Sequence, residues 1–395
     1  MATPRGATYS AGSGATVYGG RSAALPSWVE SAAAGRWGVV PVAASLSTLN
    51  PRDNPALNPV YPGTPEWYGS TGFAGIINPW CGGCFNEADS ELWLPLGGGH
   101  NDYGGNEPYK LRLNREVPDW VMVRPPSGAI GNLLTTNDGQ EASGVYSDGQ
   151  PRSIHSYNKP VWVPNVGPYI AAQGNTWYSG QAGTKRPIAI DPITGEGTMK
   201  TACPASLAYP LNAGCYDPTR GAQGSIWSRS SGTAKMQRYD VAADSWMIDL
   251  GGSPSPTNYL GMAYMPEHDC ILISAGDGWR VFDCQTYAYT TPTFSGSTSL
   301  DVGSCQPIWI NGKAYAWNNA TNTTQVTRLT PGANPRTDTW TVDTLAVDGG
   351  NAVTPAARQT AGTYGRFSYA PALGIFVLMN SISGDVHFFK PPTAL

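Results

Sequence analysis

The chain has 395 residues, of which 48 are Gly and 34 Pro; 11% are aromatic, only 13% carry charge, and the net charge is −4. A nucleic-acid footprint needs clustered Lys and Arg, and no polybasic run occurs here. No apolar run approaches the ~18 residues of a membrane span, and Met1–Gly20 lacks the apolar core of a Sec-type signal peptide.

Gly and Pro punctuate turns, while Trp, Tyr and Val favour pleated, half-buried strands, so the composition predicts many short strands. In chain order, residues 1–34 read as an arm. Met1–Ser22 is too poor in apolar side chains to fold alone, and Ser27 is a candidate N-cap for a short helix within Leu25–Ala34. Such an arm suits docking on a neighbouring subunit or an idle tail. Residues 35–395 read as one domain.

Within that domain a Tyr-x-Pro or Tyr-x-x-Pro pattern recurs, at Tyr157–Pro160, Tyr216–Pro218, Tyr264–Pro266 and Tyr369–Pro371. Looser copies lie at Ile76–Pro79 and Ser304–Pro307. The pattern is read as an inner strand ending in a Pro-bearing turn, with a second strand running back. Second strands are expected at Glu91–Leu96, Tyr169–Ala172, Gly224–Trp227, Cys270–Ile273, Ala314–Trp317 and Gly374–Leu378. Outermost strands are marked by Trp120, Trp246 and Trp340.

The last repeat ends at Val386–Phe389 without an outer strand, whereas Gly35–Val40, with Trp37, offers one at the other end of the chain. The expected fold is therefore an all-β, six-bladed propeller whose N-terminal strand closes the last blade and removes the unpaired edges. Blades are expected near 73–125, 152–200, 213–250, 258–293, 301–346 and 360–390, the last completed by 35–43.

Blade one carries Gly98-Gly99, then Tyr109, then Trp120. This order resembles the kelch repeat, and the resemblance implies a kelch or galactose-oxidase-like propeller over roughly residues 73–390. The stretches Gly97–Glu107 and Ser147–Tyr157 also resemble kelch-like proteins of tailed bacteriophages and bacteria. That resemblance implies a virion component.

Seven cysteines need explaining. Cys270 and Cys284 are equidistant from Asp277 and would face each other in a hairpin centred there. Cys203 and Cys215 would close a short loop, and Cys81 and Cys84 would bridge within one turn. Cys305 is left over as a free thiol or an interchain bond. The alternative is seven buried, reduced thiols. Cys81 and Cys84 have no second pair at ligand spacing, so no metal and no cofactor is expected.

Chemistry is expected in the glycine-rich loop holding His100, Asp102, Tyr103 and Asn106, joined by Arg152 and His155 from the next blade. Such a cluster suits sugar hydroxyls or an acid/base pair, and equally suits loops tied to each other. Trp177-Tyr178 is a further candidate for sugar stacking or for core packing. The copper-radical, sialidase and Gly-x-Ser-x-Gly patterns are missing or incomplete.

The function expected is a non-enzymatic structural or host-contact protein of a phage virion, on capsid, tail or fibre. Its expected partners are other virion proteins, through the arm, and a host surface glycan. Neither nucleic acid nor membrane insertion is expected. The alternatives are a carbohydrate-active or oxidative propeller enzyme, or a kelch-type interaction module in or exported from a bacterium.

Overall fold

Short runs of Val, Ile, Trp and Tyr, each cut by a Gly- or Pro-bearing turn, give the chain strands of two to six residues and almost no helix. The computed structural model describes residues 24–54, 68–100, 102–127, 144–146, 148–171, 176–177, 185–204, 213–229, 235–252, 259–296, 300–320 and 324–395. Among these, no helix is long and apolar enough to cross a membrane.

The strands form six sheets, antiparallel but for one short added strand in blade five, arranged as the blades of a propeller. Strand β1 (Arg36–Val39) opens the chain but belongs to the last blade. Blade one holds β2 (Cys84–Asn86), β3 (Glu91–Leu94), β4 (Tyr109–Arg112) and β5 (Asp119–Met122). Blade two holds β6 (Pro160–Val163), β7 (Gly167–Ile170), β8 (Ile188–Ile190) and β9 (Gly197–Met199). Blade three holds β10 (Ala213–Asp217), β11 (Ser225–Arg229), β12 (Met236–Asp240) and β13 (Ser245–Leu250).

Blade four holds β14 (Gly261–Met265), β15 (Cys270–Ala275), β16 (Gly278–Asp283) and β17 (Tyr289–Thr290). In blade five, β18 (Phe294–Ser295) pairs parallel with the outer β22 (Trp340–Thr344). The rest of that blade is β19 (Ile308–Ile310), β20 (Lys313–Ala316) and β21 (Thr327–Thr330). Blade six is β23 (Phe367–Ala370), β24 (Ile375–Met379), β25 (Val386–Lys390) and, outermost, β1.

The closing strand fits as its sequence demands. Trp37 lies opposite Phe389, is 3% exposed, and packs with Phe376 and Leu345 in the core between blades five and six. Its indole donates to Thr324 O at 2.7 Å, and Arg36 pairs with Asp348. Burying such a ring contributes roughly 3 kcal/mol from its apolar area. Gly38 is required here, because any Cβ would lie 2.4 Å from the Phe388 ring.

Ahead of β1, helix α1 (Ser27–Glu30) clasps blade six to blade one. Val29 is buried in the core, Trp28 meets Phe388 edge-on, and the Trp28 indole donates to Arg115 O. Lys390 donates to Val29 O and to Ala32 O, tying the helix and the turn after it to β25. Ser27 is the first helical residue, not the cap: its N–H and hydroxyl donate to the Glu116 carboxylate across 89 residues of sequence.

Around the channel, backbone hydrogen bonds link neighbouring blades into a belt. Tyr157 N–H donates to Trp80 O, Gly83 N–H to Tyr364 O, Tyr364 N–H to Ser304 O, Ser304 N–H to Tyr259 O, and Gly214 N–H to Asn158 O. Arg366, 0% exposed, adds a latch between blades six and one by donating to Met379 O, Ile77 O, Cys81 O and Gly362 O. Four carbonyls around one guanidinium replace the carboxylate that a buried arginine ordinarily requires.

Several sequence expectations need correction. The proline pattern is two motifs, not one. Pro218, Pro266 and Pro371 follow the inner strands β10, β14 and β23, whereas Pro79, Pro160 and Pro307 precede or begin β2, β6 and β19. Proline tolerates both ends because neither place needs its missing N–H.

All seven cysteines are buried thiols. Cys270 lies opposite Asp283, one residue off the expected partner, because the hairpin closes at Ala275–Gly278 rather than around Asp277. One residue of slip reverses the face: Cys270 packs between blades four and five, Cys284 between three and four. Cys203 packs against Trp246 and Ile248, and Cys215 packs elsewhere, in the core with Cys284. Cys84 sits in β2 and Cys81 is held by Gly98, so neither turns to the other. Cys305 is 0% exposed and is no position for an interchain bond.

Of the four marker tryptophans, Trp37, Trp120 and Trp340 are buried, whereas Trp246 is half-buried with its indole on Thr201 O.

Candidate functional site

The connections between blades and the loops between second and third strands meet at one end of the channel, here called the mouth. That geometry brings together residues far apart in sequence. Asp102, in the loop between β3 and β4, is held by Thr71, whose hydroxyl donates to Oδ1 at 2.7 Å. Its Oδ2 lies 2.8 Å from Nε2 of His155, which enters from the segment before β6. The His100 ring centre is 5.8 Å from that of His155. Three of the six residues read from sequence therefore converge: His100, Asp102 and His155.

The other three are consumed inside the protein. Asn106 is 0% exposed, donates to Ser127 and Pro151 O and accepts from Ser127 N–H. Arg152 is 1% exposed, stacks over Tyr146 and donates to Val145 O and Trp177 O. Tyr103 donates to Glu107 within the core of blade one. These side chains fix loop to loop. Trp177 likewise is 1% exposed, which makes it core rather than a stacking platform; Tyr178 lies outside the described residues.

Sequence reading missed the aromatic floor. Trp80, Tyr157, Tyr259 and Tyr364 arrive from blades one, two, four and six and meet across the channel. Trp80 stacks on Tyr259 with centres 5.9 Å apart, Tyr157 meets Tyr364 edge-on at 5.7 Å, and His155 is 6.2 Å from Trp80. Asn158 reaches across to Leu260 O at 2.6 Å. The rings meet across the channel, and the half-buried surface made by Trp80, Tyr259, His100 and Asp102 is here called the dish. The available signal was a tyrosine just before three inner strands, at 157, 259 and 364, hidden by the proline pattern.

Strained backbone occurs here, as it also does in turns at the opposite end such as Ser90, Asn165 and Asp269. His100, Tyr157, Tyr259, Ser304 and Tyr364 all have positive φ, between 44° and 63°. Non-glycine residues held there cost of order 1 kcal/mol each.

The electrostatics set the tautomer. Burial pushes the His155 pKa down against the opposing pull of Asp102, so the imidazole is neutral at pH 7. Burial raises the Asp102 carboxyl, but hydrogen bonds from His155 and Thr71 outweigh it and the net shift is downward. Nε2–H therefore donates to the carboxylate and Nδ1 carries the lone pair. Nδ1 is buried and has no hydrogen-bond partner. Beneath, Lys159 donates to His155 O, and burial holds its pKa well below the usual lysine range.

Within blade one, burial pushes the Glu107 carboxyl up to about 7, against the hydroxyls of Tyr103 and Tyr109 that both donate to Oε1. Among the described residues, no group of three or more His, Cys, Asp or Glu is placed to hold a metal ion.

The chain matches no protein-family model, and comparison with curated proteins finds no match. The chemistry must therefore be read from the site itself. A neutral imidazole with a buried, unpartnered lone pair, beside half-buried aromatic rings, offers a hydrogen-bond acceptor next to an apolar face.

Proposed function

We propose that this chain is a non-enzymatic structural or host-contact protein of a tailed-bacteriophage particle, placed on the capsid, tail or fibre. What supports the reading most is the rim clasp. Helix α1 and strand β1 tie blades six and one together, and Leu25, just ahead of the helix, is exposed at 37%. An arm leading into Leu25 gives a neighbouring virion protein a hold on the disc that does not open the closed ring. The kelch-like stretches of blade one and its junction with blade two point the same way.

Purified particles of the phage that encodes the chain should contain it in stoichiometric amount by mass spectrometry. Deleting residues 2–22 should leave the melting temperature unchanged and remove the protein from particles. A chain found only free in the lysate would overturn the assignment.

One observation favours a second reading, a carbohydrate-active enzyme. The Asp102–His155 pair leaves Nδ1 unprotonated, as a general base requires.

A further inference from the structure

We propose that the dish at the channel mouth is a binding site for one uncharged pyranose unit of a glycan. The sugar's apolar face lies over the Trp80–Tyr259 pair and one of its hydroxyls donates to His155 Nδ1.

Three observations carry this independently of where the protein resides. First, His155 Nδ1 is an acceptor without a partner on a side chain only 2% exposed, lying among Trp80, His100 and Tyr157. An orphaned buried acceptor is costly, and a hydroxyl donor in the dish satisfies it. Second, Trp80 and Tyr259 are supplied by opposite blades and stacked with planes 12° apart, yet both remain half-buried. Aromatic rings left at a surface this way present a flat apolar face beside polar groups, the pairing a sugar ring offers in return.

Third, the charges argue for a neutral ligand. The carboxylate at the surface of the dish is Asp102, which repels anions. The buried basic groups nearby are engaged by the backbone: Arg366 donates to four carbonyls and Lys159 to His155 O. An acidic sugar would meet the Asp102 carboxylate, while the hydrogen bonds of Arg366 and Lys159 run to backbone carbonyls.

The test is a titration of the full chain, followed by intrinsic tryptophan fluorescence and by calorimetry. The probes are the methyl glycosides of glucose, galactose, mannose and N-acetylglucosamine, with methyl glucuronide as the anionic control. At least one neutral glycoside should bind saturably, and the glucuronide should not bind. Trp80→Ala and His155→Phe should each weaken that binding by about tenfold or more, a loss of roughly 1.4 kcal/mol.

If Trp80→Ala fails to fold, Tyr259→Ala poses the same question from the opposite blade. Binding of the glucuronide alone, no saturable response to any probe, or full affinity in both Trp80→Ala and His155→Phe would overturn the proposal. Cleavage of a bound glycoside would keep the site and overturn the non-enzymatic reading. Absence from particles would overturn the virion reading and leave the site standing.

Discussion

The two ends of the channel are built from the same inner strands, yet their buried polar groups are satisfied differently. At the end away from the mouth, charge is matched with charge. Asp217, 0% exposed, accepts from Arg220 at 2.7 Å, from the Trp227 indole at 2.9 Å and from Thr219. Arg220 goes on to clamp Asp269 of blade four, and Arg336 of blade five reaches Asp283 at 2.5 Å. At the mouth, the buried Arg366 and Lys159 donate to backbone carbonyls, and His155 Nδ1 and Asn158 Oδ1 are left without partners. Saturated networks make one end a joint between blades. Unmet buried groups at the other end are what a binding site carries before its ligand arrives.

The comparison can be broken in order of expected size. Trp37→Ala should cost about 4 kcal/mol, because it empties a core position that holds the ring closed at both ends. A melting temperature within a degree or two of the parent would refute the role of β1 in closure. Asp217→Ala should cost about 3 kcal/mol, since it leaves Arg220 and the Trp227 indole facing a gap. Sugar binding at the far end of the channel should not change, as titration of the variant will show.

Glu107 sharpens the comparison through pH. Its folded pKa is raised to about 7 from an ordinary 4.5, so the protonated carboxyl is the form the fold prefers. The stability it contributes is complete below pH 4.5, declines between there and about 7, and is gone above. Glu107→Gln should remove that slope and raise stability at pH 8 by about 3 kcal/mol. Urea melts of both proteins across this range measure it, and parallel profiles would contradict the assignment. The smallest effect belongs to the mouth: His155→Phe should change stability by under about 1 kcal/mol, because it deletes a hydrogen bond and an orphan together.

Much of the ring was legible in the sequence because blade strands are local. Tyr109, Trp120 and Trp340 mark strands by their own neighbours, and the missing outer strand after Phe389 pointed back to Trp37. Register was not legible. Cys270 and Cys284 were misplaced by a single residue, since the hairpin pivots between Gly276 and Asp277 rather than on Asp277.

The site was half legible. His100, Asp102 and His155 come from adjacent blades through loops whose composition is unusual. Trp80, Tyr259 and Tyr364 come from blades one, four and six, and only closure of the ring brings them together. Arg152 and Asn106 have the composition of a site and the position of a hinge pin: buried, polar and fully bonded within the protein.

The most direct test of the contrast between the two ends is a paired measurement on two variants, His155→Phe and Asp217→Ala. Melting temperature and affinity for the best-bound methyl glycoside are recorded for each. Lost affinity with an intact melt in the first, and a lowered melt with intact affinity in the second, is the predicted result. Equal losses of both quantities in both variants would mean that the two ends do the same work, and would contradict the account.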